Sequence, residues 1–205
     1  RVMEAEGFSV GIIAQPGWKN PNDMMRLGAP KYAFFVNSGN IDSMVAHYTV
    51  AKRKRSDDAY TAGGKSGRRP DRALTVYCRL IREAYPDTPI VIGGLEASLR
   101  RFAHYDYWDD SVYPSILLDT GADLLSYGMG EKQTAEIAHR LASGESVSAL
   151  TDIRGTCYLT DPVNTPWGSV QCPSFDMVRT DKKAYAKAAR IQMEEQDGIR
   201  GRTVI

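Results

Sequence analysis

The chain has little of the material from which several classes of protein are built. Only three cysteines, Cys78, Cys157 and Cys172, and three histidines occur among its 205 residues. An odd and low cysteine count excludes a disulfide scaffold and suits a reducing compartment, so a cytoplasmic location is expected. No Cys-x-x-Cys and no spaced histidine pair is present, and no metal site is expected from the residues. No apolar run approaches the 18 residues of a membrane-spanning helix, and no membrane partner is expected. Charge of one sign is missing too: 26 Lys and Arg stand against 25 Asp and Glu, for a formal charge of +1. That balance excludes a strongly basic nucleic-acid module and a disordered acidic tail. Gly-x-Gly-x-x-Gly, the Walker loop and the Gly-x-Ser-x-Gly elbow are all absent, and no catalytic constellation stands out.

What is present is a repeated unit. Hydrophobic residues make up 42% of the chain, enough for a real core. Four short apolar runs, near 9–14, 32–36, 90–93 and 124–127, each stop at glycine or a turn cluster. Runs of this length without polar alternation predict strands buried on both faces. Between them, Ala73, Leu74, Tyr77, Leu80, Ile81 and Ala84 recur at helical spacing, with Asp71 as the expected N-cap and Pro86 as the stop. A second helix is predicted from Lys132 to Ser143, closed by Gly144. Strands alternating with helices predict an α/β fold: a Rossmann-like, mainly parallel sheet with helices on both faces. Past residue 150 the rhythm changes. Thr156 to Thr160 reads as a short strand, 161–173 as loop, and Asp181 to Asp197 as a polar helix with a thin stripe of Tyr185, Ala188 and Met193. Residues 1–155 are expected to form the Rossmann-like domain and 156–205 a linker or extension. The opening, Arg1-Val-Met-Glu-Ala-Glu-Gly7, reads as a helix entered part-way, so a fragment lacking its first strand is expected.

Ligands of doubly wound sheets sit beyond the carboxyl ends of the strands. Here that rule selects Gly93, Gly94, Gly128, Gly130 and Glu131, since glycine permits close backbone approach and helix N-termini favour anions. The same glycines also serve as simple strand-to-helix turns. The densest set of polar and aromatic groups follows at once: Glu96, Arg100 and Arg101, then His104, Tyr105, Asp106, Trp108 and Asp109. These residues are candidates for a substrate or interface surface, with a loop latched by Arg–Asp pairs as the alternative. Charge is also segregated, with ten Lys and Arg against three Asp over residues 52–82. Lys52, Arg53, Lys54, Arg55, Arg68 and Arg69 are therefore a candidate basic surface for RNA, phosphate or an acidic neighbour, or else a solvated insertion.

The residues also carry a family likeness. Ile90-Val-Ile-Gly-Gly94 with Glu96-Ala-Ser98, then Gly121-Ala-Asp-Leu-Leu-Ser-Tyr-Gly-Met-Gly-Glu131, resemble the cobalamin-binding-like module that precedes many radical S-adenosylmethionine (SAM) cores. More specifically, Glu4-Ala-Glu-Gly7, Gly11-Ile-Ile-Ala-Gln-Pro16, Gly39-Asn-Ile-Asp-Ser-Met44, Asp57-Asp-Ala-Tyr60, Arg69-Pro-Asp-Arg72 and the run from Gly93 to Trp108 resemble the N-terminal region of YgiQ-type (UPF0313) radical SAM proteins. The resemblance implies a parent enzyme that cleaves S-adenosylmethionine at a [4Fe–4S] cluster to give a 5′-deoxyadenosyl radical. It implies that this chain is an accessory domain, shaping or capping the substrate site beside its own C-terminal radical SAM domain. A nucleic-acid or protein-binding module using residues 52–72 is the alternative. The family's Cys-x-x-x-Cys-x-x-Cys is absent, so no cofactor is expected in this chain itself, and Asp-x-His-x-x-Gly is absent, so cobalamin is unsupported.

Overall fold

The computed structural model describes residues 1–205. In chain order the elements are α1 (Val2–Ala5), β1 (Phe34–Val36), α2 (Ser43–His47), α3 (Ala73–Ala84), β2 (Ile90–Ile92) and α4 (Gly94–Leu99). They continue with β3 (His104–Asp106), β4 (Ser111–Tyr113), α5 (Ile116–Thr120), β5 (Leu124–Ser126), α6 (Glu131–Ala142), β6 (Thr156–Cys157), α7 (Phe175–Thr180) and α8 (Lys182–Glu194). The chain folds as two compact units: residues 1–101 with 116–158, and residues 102–115 with 159–205. A segment from the middle of the sequence thus joins the C-terminal part.

The first unit is an α/β layer structure around a sheet of order β1-β2-β5-β6. Its first three strands are parallel, with Phe34 opposite Ile90 and Val91 opposite Leu124, and β6 runs antiparallel to β5. Alternation along each strand feeds two cores. Ile90, Ile92 and Leu125 pack with Leu74, Tyr77, Leu80 and Ile81 of α3 on one face, while Val91 and Leu124 meet Ile137 and Leu141 of α6 on the other. Each such aliphatic side chain contributes about 2 kcal/mol by leaving water. Helices cover both faces, as the uninterrupted apolar strands require. The Rossmann-like α/β reading is the fold observed.

Three local expectations are corrected. Residues 9–14 form no strand: no backbone hydrogen bond joins them to the sheet, and Ile12 is 82% exposed. Phe8 packs edge-on against Tyr32 and His139 instead, at centroid distances of 6.0 and 5.1 Å. An apolar, β-branched run fits a pleated surface, but only a hydrogen-bonding neighbour makes it a strand. Asp71 does not cap α3, because Arg72 takes the cap position in the left-handed region (φ 50). The Asp71 carboxylate accepts from the Tyr48 hydroxyl (2.6 Å) and pairs with His47 Nδ1 (2.7 Å). Met193, placed on the buried stripe of the last helix, is exposed, and Ala184 and Ala188 are the buried positions of α8.

The second unit combines the β3–β4 hairpin, paired antiparallel from His104–Tyr113 to Asp106–Ser111, with α7 and α8. The backbone N–H of Tyr105 donates to the Tyr185 hydroxyl of α8 (3.2 Å), which holds hairpin and helix together. Ser174 caps α7, and Asp181 caps α8 by accepting from Lys183 N–H (2.8 Å). Val204 bridges Val170 in parallel sense, so the last residues pair briefly as a strand.

Candidate functional site

The parallel strands end together, and a cavity of about 280 Å³ opens at their carboxyl ends. Met3, Val36, Asn37, Ile92, Ser126 and Met129 line it together with Gly93, Gly94, Gly128 and Gly130. Four of the glycines selected from sequence are therefore brought to one place, and Glu131 follows as the first residue of α6. Two of them are needed for backbone approach. Gly94 lies at φ +79, where a Cβ would stand 3.1 Å from Asn37, and Gly130 at φ +73, where a Cβ would stand 3.2 Å from Ser126 Oγ. Across the mouth, Ser98 Oγ donates to Gly94 O (2.7 Å) and accepts from Gly128 N–H (3.1 Å), tying α4 to the loop before α6. Ser126 lies outside the set that the sequence selects, although one polar residue closing the apolar strand Leu124-Leu-Ser126 is a readable signal.

Glu96, another sequence candidate, sits inside the unit at 1% exposure. Its carboxylate accepts from Ser43 N–H (2.8 Å) at the start of α2 and from Leu74 N–H (3.2 Å) at the start of α3. Ser43 Oγ accepts from Ala73 N–H (3.0 Å), and Asp42 accepts from Met44 N–H (2.9 Å) while pairing with Arg100. Two helix N-termini are thus closed by buried acidic groups, which complement their dipoles. Tyr77 lies close enough to feel Glu96. Burial pushes its hydroxyl up to about 12, so it stays protonated. Arg101 donates to Ser98 O (2.6 Å) and lies 4.9 Å from the Tyr127 ring centroid.

His104, Tyr105, Asp106, Trp108 and Asp109 fall in the second unit. The buried Asp106 accepts from Trp108 N–H (2.8 Å) and Asp109 N–H (3.1 Å), shaping the hairpin turn. Tyr113 OH donates to Asp109 (2.6 Å), Tyr105 OH to Asp110 (2.6 Å), and His104 stacks on Tyr113 at 6.3 Å. The candidates from 93 to 109 are therefore divided between two units.

The basic segment is folded rather than a plain exposed run. Tyr48 bridges Lys54, and Asp57 bridges Lys65. Lys52, Arg53, Lys54, Arg55 and Arg68 are exposed, and Arg55 Nε donates to the carbonyls of Val45 and Tyr48 (3.3 and 3.1 Å). Arg69 leaves the candidate basic surface. It is buried, with Nη2 on Asp58 (2.7 Å) and Nη1 on Ser38 O (3.0 Å), because Asp58 offers it a desolvated partner.

A family model described as Radical SAM N-terminal matches residues 1–205. The chain belongs to the radical SAM N-terminal family. It is similar to a UPF0313 protein of Clostridium botulinum (strain ATCC 19397 / Type A), with 58% identity over 205 residues, covering 100% of this chain and 32% of that protein. A UPF0313 protein of Clostridium perfringens (strain ATCC 13124) is 54% identical over 206 residues, with 31% of its length covered. The chain spans about a third of the length of the curated relatives it matches. No solved structure matches it.

The radical SAM family implies S-adenosylmethionine and an iron–sulfur cluster for the full-length proteins. The residues of this N-terminal domain do not fit such a cluster. Cys78 lies on α3, Cys157 on β6 and Cys172 in the second unit, and no three His, Cys, Asp or Glu side chains converge as metal ligands. Cluster iron is held by thiolates. Burial pushes Cys78 up to about 12 and Cys157 up to about 11, with nearby Arg82 and Arg101 respectively opposing it, so both remain thiols. No helix is long and apolar enough to cross a membrane.

Proposed function

We propose that this chain is the accessory N-terminal domain of a radical SAM enzyme and that it shapes or caps the substrate site beside a C-terminal radical SAM domain. The observation that carries the reading is the crevice. Three parallel strands of a domain from this family end on a glycine-lined cavity of substrate-fragment size. The demanding chemistry belongs to the cluster and S-adenosylmethionine, which this domain's cysteines do not support, so its own contribution is binding and orientation. Arg101 is the polar group of the first unit assigned to a substrate-facing role, and the 104–109 hairpin is a separate candidate within the second unit.

Full-length protein, reconstituted anaerobically with iron and sulfide and reduced, is expected to release 5′-deoxyadenosine from S-adenosylmethionine. Arg101→Ala, made in that protein, is expected to lower the release by about tenfold with little change in melting temperature. Asp106→Ala strands the Trp108 and Asp109 N–H groups and should lower the melting temperature as well as the release. Absence of 5′-deoxyadenosine from the reconstituted wild type counts against the enzymatic reading. Two variants with lowered melting temperatures and normal release would make these side chains internal latches.

A further inference from the structure

The crevice holds a polar group that the fold leaves without a partner. Ser126 is 7% exposed, and its Oγ makes no hydrogen bond. Buried hydroxyls are nearly always paired, so an orphan lining a cavity points to something that occupies the cavity. Immediately above it begins α6, a helix of 12 residues whose N-cap, Gly130, offers no side chain. The first backbone hydrogen bond of this turn is Thr134 N–H to Gly130 O (2.9 Å), and the N–H groups from Met129 to Gln133 have no acceptor in the protein. Gly130 is what lets the two features meet: a Cβ there would stand 3.2 Å from Ser126 Oγ. The orphan hydroxyl therefore points at the open end of the helix.

We propose that this corner of the crevice binds the phosphoryl group of a small phosphate monoester, with Ser126 Oγ and the first N–H groups of α6 as donors. Open N–H groups and the positive end of the helix dipole both favour an anion. A phosphate monoester brings three terminal oxygens and up to two charges to this set of donors, whereas a carboxylate brings two oxygens and one charge. The apolar walls from Val36, Ile92 and Met129 suit the ester's organic part better than free phosphate. Glu131, exposed in the first turn of α6, is an acidic side chain that would oppose such a ligand. The inference rests on the crevice being the substrate face only for the fate of the bound molecule; binding needs neither cluster nor turnover.

The test uses full-length protein without S-adenosylmethionine, titrated with phenyl phosphate, inorganic phosphate and benzoate by calorimetry. Phenyl phosphate is expected to bind saturably and more tightly than either control. Ser126→Ala should weaken it by about tenfold, the effect of losing one hydrogen bond to a charged group. The same variant should melt no lower than wild type, since it deletes an unsatisfied hydroxyl, and a purely structural serine would show the reverse pair of effects. Glu131→Gln should tighten binding about twofold by removing a like charge near the helix start. The proposal is overturned by non-saturable phosphate binding, by Ser126→Ala binding phenyl phosphate as wild type does, or by benzoate matching phenyl phosphate. Preference for inorganic phosphate over the ester overturns the monoester assignment. Saturable binding without 5′-deoxyadenosine release would defeat the enzymatic reading and leave this one standing.

Discussion

Replacing Glu96 by alanine is expected to destabilise the fold by about 4 kcal/mol. The substitution strands two buried backbone donors at once, Ser43 N–H and Leu74 N–H. Each unsatisfied buried donor costs about 1–3 kcal/mol. It also removes the anion that complements the α2 and α3 dipoles. Glu96→Gln keeps an acceptor oxygen and should cost roughly half as much. Unfolding midpoints in urea for the two variants and wild type measure this. A ranking in which glutamine is no better than alanine would show that Glu96 does not act through these two hydrogen bonds. Wild-type stability in both would return Glu96 to the substrate-facing set.

The second large effect lies at the buried pair that folds the basic segment. Asp58 accepts from Arg69 (2.7 Å), Thr61 Oγ1 (2.8 Å) and Tyr60 N–H (2.9 Å). Removing one member leaves a buried charge uncompensated, so Arg69→Ala and Asp58→Ala are each expected to cost about 3–5 kcal/mol. Their double variant should cost less than the sum of the two. The pair also has a pH signature. Burial raises the Asp58 pKa, but the hydrogen bonds from Arg69, Tyr60 and Thr61 outweigh it and hold the carboxyl below the ordinary carboxylate value. A folded pKa below the unfolded one gives stability that is fully present above about pH 4. That stability is lost as the pH falls through the depressed folded value. Wild type should therefore lose stability more steeply than Asp58→Asn between neutral pH and pH 2. Parallel acid limbs in the two proteins would remove Asp58 from the account of acid lability.

The same residues show why parts of the site escaped a linear reading. Gly93, Gly94, Gly128 and Gly130 were legible because each ends an apolar run, and the topology of parallel strands brings such ends together. From sequence, Glu96 and Arg69 have the character of surface groups, because a charged residue in a polar stretch is normally solvated. Their partners lie far along the chain: Ser43 is 53 residues from Glu96, and Ser38 is 31 residues from Arg69. Asp71 followed Pro70 as a cap should, yet the left-handed Arg72 carried its carboxylate towards His47 and Tyr48. Capping preference is worth about 1 kcal/mol, and tertiary partners of this strength override it.

Local composition alone determined the α/β class, the three parallel strands, the amphipathic helices α3 and α6 and the glycine turns, because hydrophobic period and breaker residues act within a few positions. Family likeness was equally a property of the sequence, carried by runs such as Gly93–Trp108. Only the tertiary structure decided that residues 9–14 find no strand partner, that Asp106 shapes a hairpin in the second unit, and that Ser126 keeps a buried hydroxyl unpaired under the open end of α6. Those outcomes depend on which distant groups meet out of water. Desolvation and pairing are properties of the packed chain, and no local pattern of residues encodes them.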